Sequence, residues 1–84
     1  MLHIQVVGPG CANCQRLASM CQEAAADLHL EARVEKVTDI SQFAALGVLL
    51  TPGLLVNGKL LSSGKIPTPQ TLSRWFQEEA GRTT

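Results

Sequence analysis

Tyrosine is absent from this sequence, and aromatics are scarce: Phe43, Trp75 and Phe76 are all there are. That scarcity removes the stacking platform that single-stranded nucleic acid needs. A charge excess is missing as well, because seven Lys+Arg balance seven Asp+Glu. Proteins that hold nucleic acid or membrane surfaces usually carry a basic surplus, so neither partner is expected. No apolar run approaches the roughly 20 residues of a membrane helix. Residues Met1 to Val7 show neither a basic leader nor a cleavage site, so a cytoplasmic location is expected. Cysteine is sparse and odd in number, three in all. A secreted disulfide framework favours an even count at wide spacing. In a reducing compartment, the close pair Cys11 and Cys14 reads instead as redox-active or metal-binding.

What remains is a chain of 84 residues with 45% apolar content, enough for a single small domain with an economical core. His3 to Val7 reads as a strand, closed by the loop Gly8-Pro9-Gly10. From Ala12, the residues Cys14, Leu17, Ala18, Cys21, Ala25 and Leu28 recur at spacings of three and four, one face of a helix. His29 falls at its end, where positive charge suits the helix dipole. Leu30 to Val37 reads as a second strand, with Leu30, Ala32, Val34 and Lys36 on one side. Thr38 or Asp39 caps a short second helix holding Ile40, Phe43 and Ala44, which Gly47 ends. Leu54 to Val56 and Lys59 to Ser62 flank Asn57-Gly58, a strong hairpin signal because both residues tolerate positive φ. Thr68 caps the last helix, and Pro69 takes its first position. Leu72, Trp75, Phe76 and Ala80 form its apolar stripe, and Gly81 ends it. The order β-α-β-α-β-β-α predicts an α/β fold: a four-stranded mixed sheet with helices on both faces, in one domain over residues 1–80 with a tail at 81–84.

The chemistry concentrates at Cys11-Ala12-Asn13-Cys14. Cys11 falls where the glycine-rich loop meets the first helix. Unpaired N–H groups and the helix dipole there stabilise a thiolate and lower the thiol pKa. Cys14 comes one turn later on the same side. Cys11 is then the attacking thiolate and Cys14 the resolving thiol, with Ala12 and Asn13 tuning the couple. A bare C-x-x-C is a weak signal, but at a strand-to-helix junction it is a stronger one. The metal alternative is narrower. A tetrahedral zinc site needs four ligands, and Cys21, His3 and His29 do not converge on the pair. A two-coordinate copper(I) carrier would use Cys11 and Cys14 alone. Cys21 itself reads as a small core residue. His3, His29 and Arg16 read as structural or solvated, and Trp75 and Phe76 as core anchors.

On these features the chain resembles the thioredoxin-like superfamily, especially its small glutaredoxin-sized redox-active disulfide proteins. The matching pieces are Gly8-Pro9-Gly10-Cys11-Ala12-Asn13-Cys14, Thr51-Pro52 ahead of a strand, the Asn57-Gly58 hairpin and Gly64 after the fourth strand. The resemblance implies a thiol–disulfide oxidoreductase with Cys11 and Cys14 catalytic. It implies a cis Thr51–Pro52 bond facing the pair, with the Thr51 main chain free to hold an extended substrate strand. Gly10, Ala12 and Asn13 join Thr51 and Pro52 as substrate contacts. No bound cofactor is implied beyond the Cys11–Cys14 disulfide. The partners would be a disulfide-containing protein and a reductase or small-thiol electron donor, acting on a monomer. The chain also differs from the family pattern. Ala12-Asn13 replaces the Gly-Pro of thioredoxins, Gly10 stands where an aromatic usually precedes the pair, and Gln5 takes the position of a buried aspartate six residues before Cys11.

Overall fold

A computed structural model of the chain describes residues 2–10 and 12–82. Its elements are strand β1 (Leu2–Val7), helix α1 (Ala12–Asp27), strand β2 (Ala32–Val37), helix α2 (Ile40–Phe43), strands β3 (Gly53–Val56) and β4 (Lys59–Ser63), and helix α3 (Pro69–Arg82). They form the expected α/β architecture around a four-stranded sheet in the order β2-β1-β3-β4. β1 and β2 run parallel, in register from Leu2↔Ala32 to Val7↔Val37. β3 lies antiparallel to β1, and β4 antiparallel to β3, with a bulge between Leu54 and Leu55. Val7 pairs with Gly53, and Gly53 with Ser63. The exits of β1, β2 and β4 and the entry to β3 therefore share one end of the sheet, where the cysteine loop also lies.

Strand alternation divides the core in two. Leu2, Ile4 and Val6 of β1 join Leu54 and Val56 beneath α1 and α3, which contribute Leu17, Cys21, Leu72 and Phe76. On the other face Val7, Val37, Val48 and Leu55 pack with Phe43 and Leu46. α2 is only one turn long. Asp39 caps it by accepting from Ser41 N at 3.0 Å. Ile40, at its start, is 72% exposed.

The hairpin forms as its sequence demands, with Asn57 and Gly58 at φ 53° and 83°. Asn57 also ties the turn to β1, since its Oδ1 accepts from His3 N at 3.0 Å and its N–H donates to His3 O at 2.8 Å. Thr68 Oγ1 accepts from Thr71 N at 3.2 Å and starts α3. Farther along α3, buried Glu79 meets Lys59 across the layer at 3.8 Å.

Two element boundaries and one side-chain placement differ from the sequence reading for clear physical reasons. β2 starts at Ala32 rather than Leu30, because His29 takes a left-handed φ of 55° and Leu30 N donates back to Ala25 O at 2.9 Å. That Schellman closure uses Leu30 to end α1. Lys36, placed by alternation on the same side as Val34, is exposed at the sheet edge. Gly81 does not end α3, which continues to Arg82. A glycine stops a helix by turning left-handed, and Gly81 is not among the residues with positive φ. Residues 81–82 are therefore helical rather than tail, and residues 83–84 lie outside the described part.

Candidate active site

The loop after β1 and the loop before β3 meet at one glycine. Gly8 is buried, and its N–H donates to Val37 O at 2.9 Å, which continues the β1–β2 ladder by one residue. Its bare α-carbon is the seat of the Cys14 sulfur: a Cβ added at Gly8 would overlap Cys14 Sγ. The same added atom would lie 3.7 Å from Thr51 Cβ. One hydrogen-only position thus brings the first turn of α1 against the residue preceding Pro52. Gly8 was read from the sequence only as part of a loop. A glycine at the end of a β-branched strand, six residues before a cysteine, was the signal available for its close-approach role.

Cys14 is buried, at 4% exposure. Gly10, Ala12 and Asn13, near it in sequence, are exposed. Gly10 has a φ of 89°, and its carbonyl accepts from Gln15 Nε2 at 3.3 Å, which folds the loop back onto α1. Cys11 lies outside the described residues. Across from Cys14, the Thr51–Pro52 peptide bond is cis, Thr51 is exposed and Pro52 is buried. The end of β4 holds this segment. Gly64 N donates to Pro52 O at 3.0 Å, and Ser63 Oγ donates to Leu50 O at 2.8 Å. Ser63 Oγ also accepts from Leu50 N at 3.3 Å. Leu50 lies on the bare α-carbon of Gly64, where an added Cβ would come within 2.8 Å of Leu50 Cβ. Of the apolar run leading to Pro52, Val48 is core and the two leucines after it are not. Leu49 is 88% exposed and Leu50 65% exposed.

Gln5 does not occupy the place expected for it. Ile4 and Val6 share a core with Cys14. Gln5 alternates with them and so points to the opposite face of the sheet. The residues beneath Cys14 on β1 are aliphatic.

Among the described residues, no group of three or more His, Cys, Asp or Glu side chains is placed to hold a metal. His3 instead meets Glu35 at 3.2 Å on the far face of the sheet. Likewise, none of the described helices is long and apolar enough to cross a membrane.

Cys21 is wholly buried in the main core. Burial pushes its thiol up to about 12 from the usual 9.0. The folded chain therefore keeps the proton that the unfolded chain gives up near pH 9, and the unfolded state binds fewer protons above that pH. The stability that depends on the neutral thiol is complete below about pH 9 and falls as the pH rises toward about 12. In Cys21→Ala, denaturant unfolding followed from pH 8 to 11 is expected to show a shallower alkaline decline than the parent. An identical decline would assign that pH dependence to other groups.

A four-stranded mixed sheet with a cysteine in the first turn of its first helix, packed against the loop of a cis-proline, is the thioredoxin-like class of α/β protein. A family model described as "Thioredoxin domain" matches residues 2–77. The chain is 35% identical over 74 residues to a thioredoxin of Methanothermobacter thermautotrophicus, covering 88% of this chain and 96% of that protein. It is 31% identical over 72 residues to a thioredoxin of Methanocaldococcus jannaschii, covering 86% and 83%. The chain belongs to the thioredoxin domain family.

Proposed function

We propose that the protein reduces or exchanges disulfides of other proteins through the pair Cys11 and Cys14. Family membership makes it a thiol–disulfide oxidoreductase in general terms. The observation that carries the finer reading is the seating of Cys14 Sγ on Gly8 beside Thr51, directly ahead of the cis Pro52. That arrangement puts a shielded sulfur near an exposed residue, Thr51.

The exchange balances as follows. The Cys11 thiolate, favoured by its place just before α1, attacks one sulfur of the substrate disulfide and releases the other as a thiolate. Cys14 loses its proton to water, since no acid stands beneath it on β1, and attacks the Cys11 sulfur. The Cys11–Cys14 disulfide forms, the second substrate thiolate leaves, and two electrons have passed to the substrate. A reductase or a small thiol returns them, and no further cofactor takes part. The exposed Thr51 main chain pairs with an extended substrate strand. Gly10, Ala12 and Asn13 line the approach, and Leu49 and Leu50 offer apolar surface to the residues flanking the substrate disulfide. We place this activity in a cytoplasmic monomer of a single domain.

The test is redox titration of the intact protein against glutathione, with the Cys11 pKa read from the pH dependence of its alkylation. A reversible two-electron couple and a Cys11 pKa below the usual thiol value of about 8.5 are expected. A potential near about −270 mV identifies a reductant, and one above about −200 mV an oxidant or isomerase. No couple, an ordinary Cys11 pKa and stoichiometric copper(I) binding by the reduced protein would replace this reading with metal carriage.

A further inference from the structure

A cleft of about 330 Å³ opens between β4, the loop that follows it and α3. Nothing in the proposed exchange uses it. Its volume lies at the small end of ligand sites, which run from about 300 to 1,000 Å³. Leu61, Ile66, Pro67 and Trp75 make an apolar wall, and Lys65, Thr68 and Thr71 stand around it.

The walls are held in place before any ligand arrives. Ser62 Oγ donates to Lys65 O at 3.3 Å and fixes the loop at its start. Pro67 and Pro69 restrict its φ angles, and the Thr68 cap anchors its end on α3. A pre-formed site avoids much of the ordering cost of binding.

The polar groups are unbalanced in one direction. The hydroxyls of Thr68 and Thr71 lie 2.9 Å apart. Their mutual bond uses one of the two hydroxyl hydrogens, which leaves one O–H to donate outward. Lys65 forms no ion pair among the described residues. The Trp75 indole N–H has no acceptor among them either. No aspartate or glutamate lines the cleft, and the first turn of α3 holds no acidic residue. Donors and one cation without an ionised acceptor complement an anion. A single lysine matches one negative charge, where a phosphate dianion is usually met by more cations or by arginine.

We propose that this cleft binds a small monocarboxylate with an aromatic or branched apolar body. The carboxylate meets Lys65 Nζ and the free hydroxyl hydrogen of the Thr68–Thr71 pair, and the body packs on Trp75, Pro67 and Leu61. Ser63 pairs with Gly53, so the cleft lies toward the same end of the sheet as Pro52 but on the outer side of β4. Binding here does not depend on the cysteines, and its test is separate from the redox test.

Trp75 is the single tryptophan and the chain has no tyrosine, so its fluorescence reports on this cleft alone. The experiment titrates the intact protein with phenylacetate, with its neutral isostere phenylacetamide, and with acetate, following Trp75 emission. Phenylacetate is expected to saturate, and the other two to bind at least about tenfold more weakly, the size of one charge-assisted contact. In Lys65→Gln, a rim substitution that disturbs no packing, the preference for acid over amide is expected to vanish. A non-saturating response to phenylacetate, equal binding of acid and amide, or unchanged phenylacetate affinity in Lys65→Gln each overturns the proposal.

Discussion

Replacing Gly8 by alanine is expected to cost about 1–3 kcal/mol of stability and to remove disulfide exchange, because a methyl group and the Cys14 sulfur cannot share one place. Gly8 is not among the residues with positive φ, so its backbone suits any side chain and the obstacle is space alone. The added Cβ would lie 3.4 Å from Cys14 Cβ, an ordinary contact, so the overlap is with the sulfur itself. On the opposite side the Gly8 N–H is committed to Val37 O, which holds the loop where it is. Relief must come by shifting the start of α1 or by turning Cys14 away from Thr51, and either removes the resolving sulfur from the substrate segment. Denaturant midpoints and turnover of a model protein disulfide measure the two effects. Gly81→Ala is the control, since its Cβ would meet open space on α3. It should stabilise by about 0.5–1 kcal/mol and leave turnover unchanged. Parental stability and turnover in Gly8→Ala would show that the sulfur has another equally good position.

The second large effect is expected at Cys14. In Cys14→Ser the attack by Cys11 still occurs, but the resolving step has no sulfur. The protein should accumulate as a covalent mixed disulfide with its substrate, and turnover should fall by at least about a hundredfold. Mass spectrometry of the non-reduced reaction mixture detects the adduct. Because Cys14 is buried, the serine hydroxyl adds a desolvation cost of about 1–3 kcal/mol. Cys14→Ala separates the two causes, since it lacks the sulfur without burying a hydroxyl and should trap the same adduct. Undiminished turnover with no adduct in both variants would mean that Cys14 is only a core residue. A single-cysteine mechanism resolved by a small thiol would then be the better description.

The local signals that proved reliable are those whose physics closes within a few residues. Asn57-Gly58 turns because two positive φ values suit those residues. Thr68-Pro69 starts α3 because a hydroxyl satisfies an exposed N–H and a proline needs none. The signals that misplaced a boundary left a choice that distant contacts decide. Leu30 fits a strand by pattern, yet a Schellman closure on Ala25 claims it for the end of α1. Gly81 is permitted to stop a helix but not obliged to, and α3 runs past it. Leu49 and Leu50 look like core by composition. They are exposed because the Ser63 hydroxyl and the bare Gly64 hold that segment at the surface.

By itself, the sequence determined the order of strands and helices, the hairpin, the place of Cys14 in the first turn of the first helix, and the resemblance that names the family. Each rests on periodicity, backbone preference or spacing along the chain, which neighbours in sequence carry. Only the tertiary structure decided that Gly8 is the seat of Cys14, that Gln5 points to the other side of the sheet, and that Leu49 and Leu50 face solvent beside Pro52. It also placed Lys65, Thr71 and Trp75 around one cleft. Those facts depend on which strand lies beside which and on how closely two backbones approach. That distance is set by packing between segments far apart in the chain.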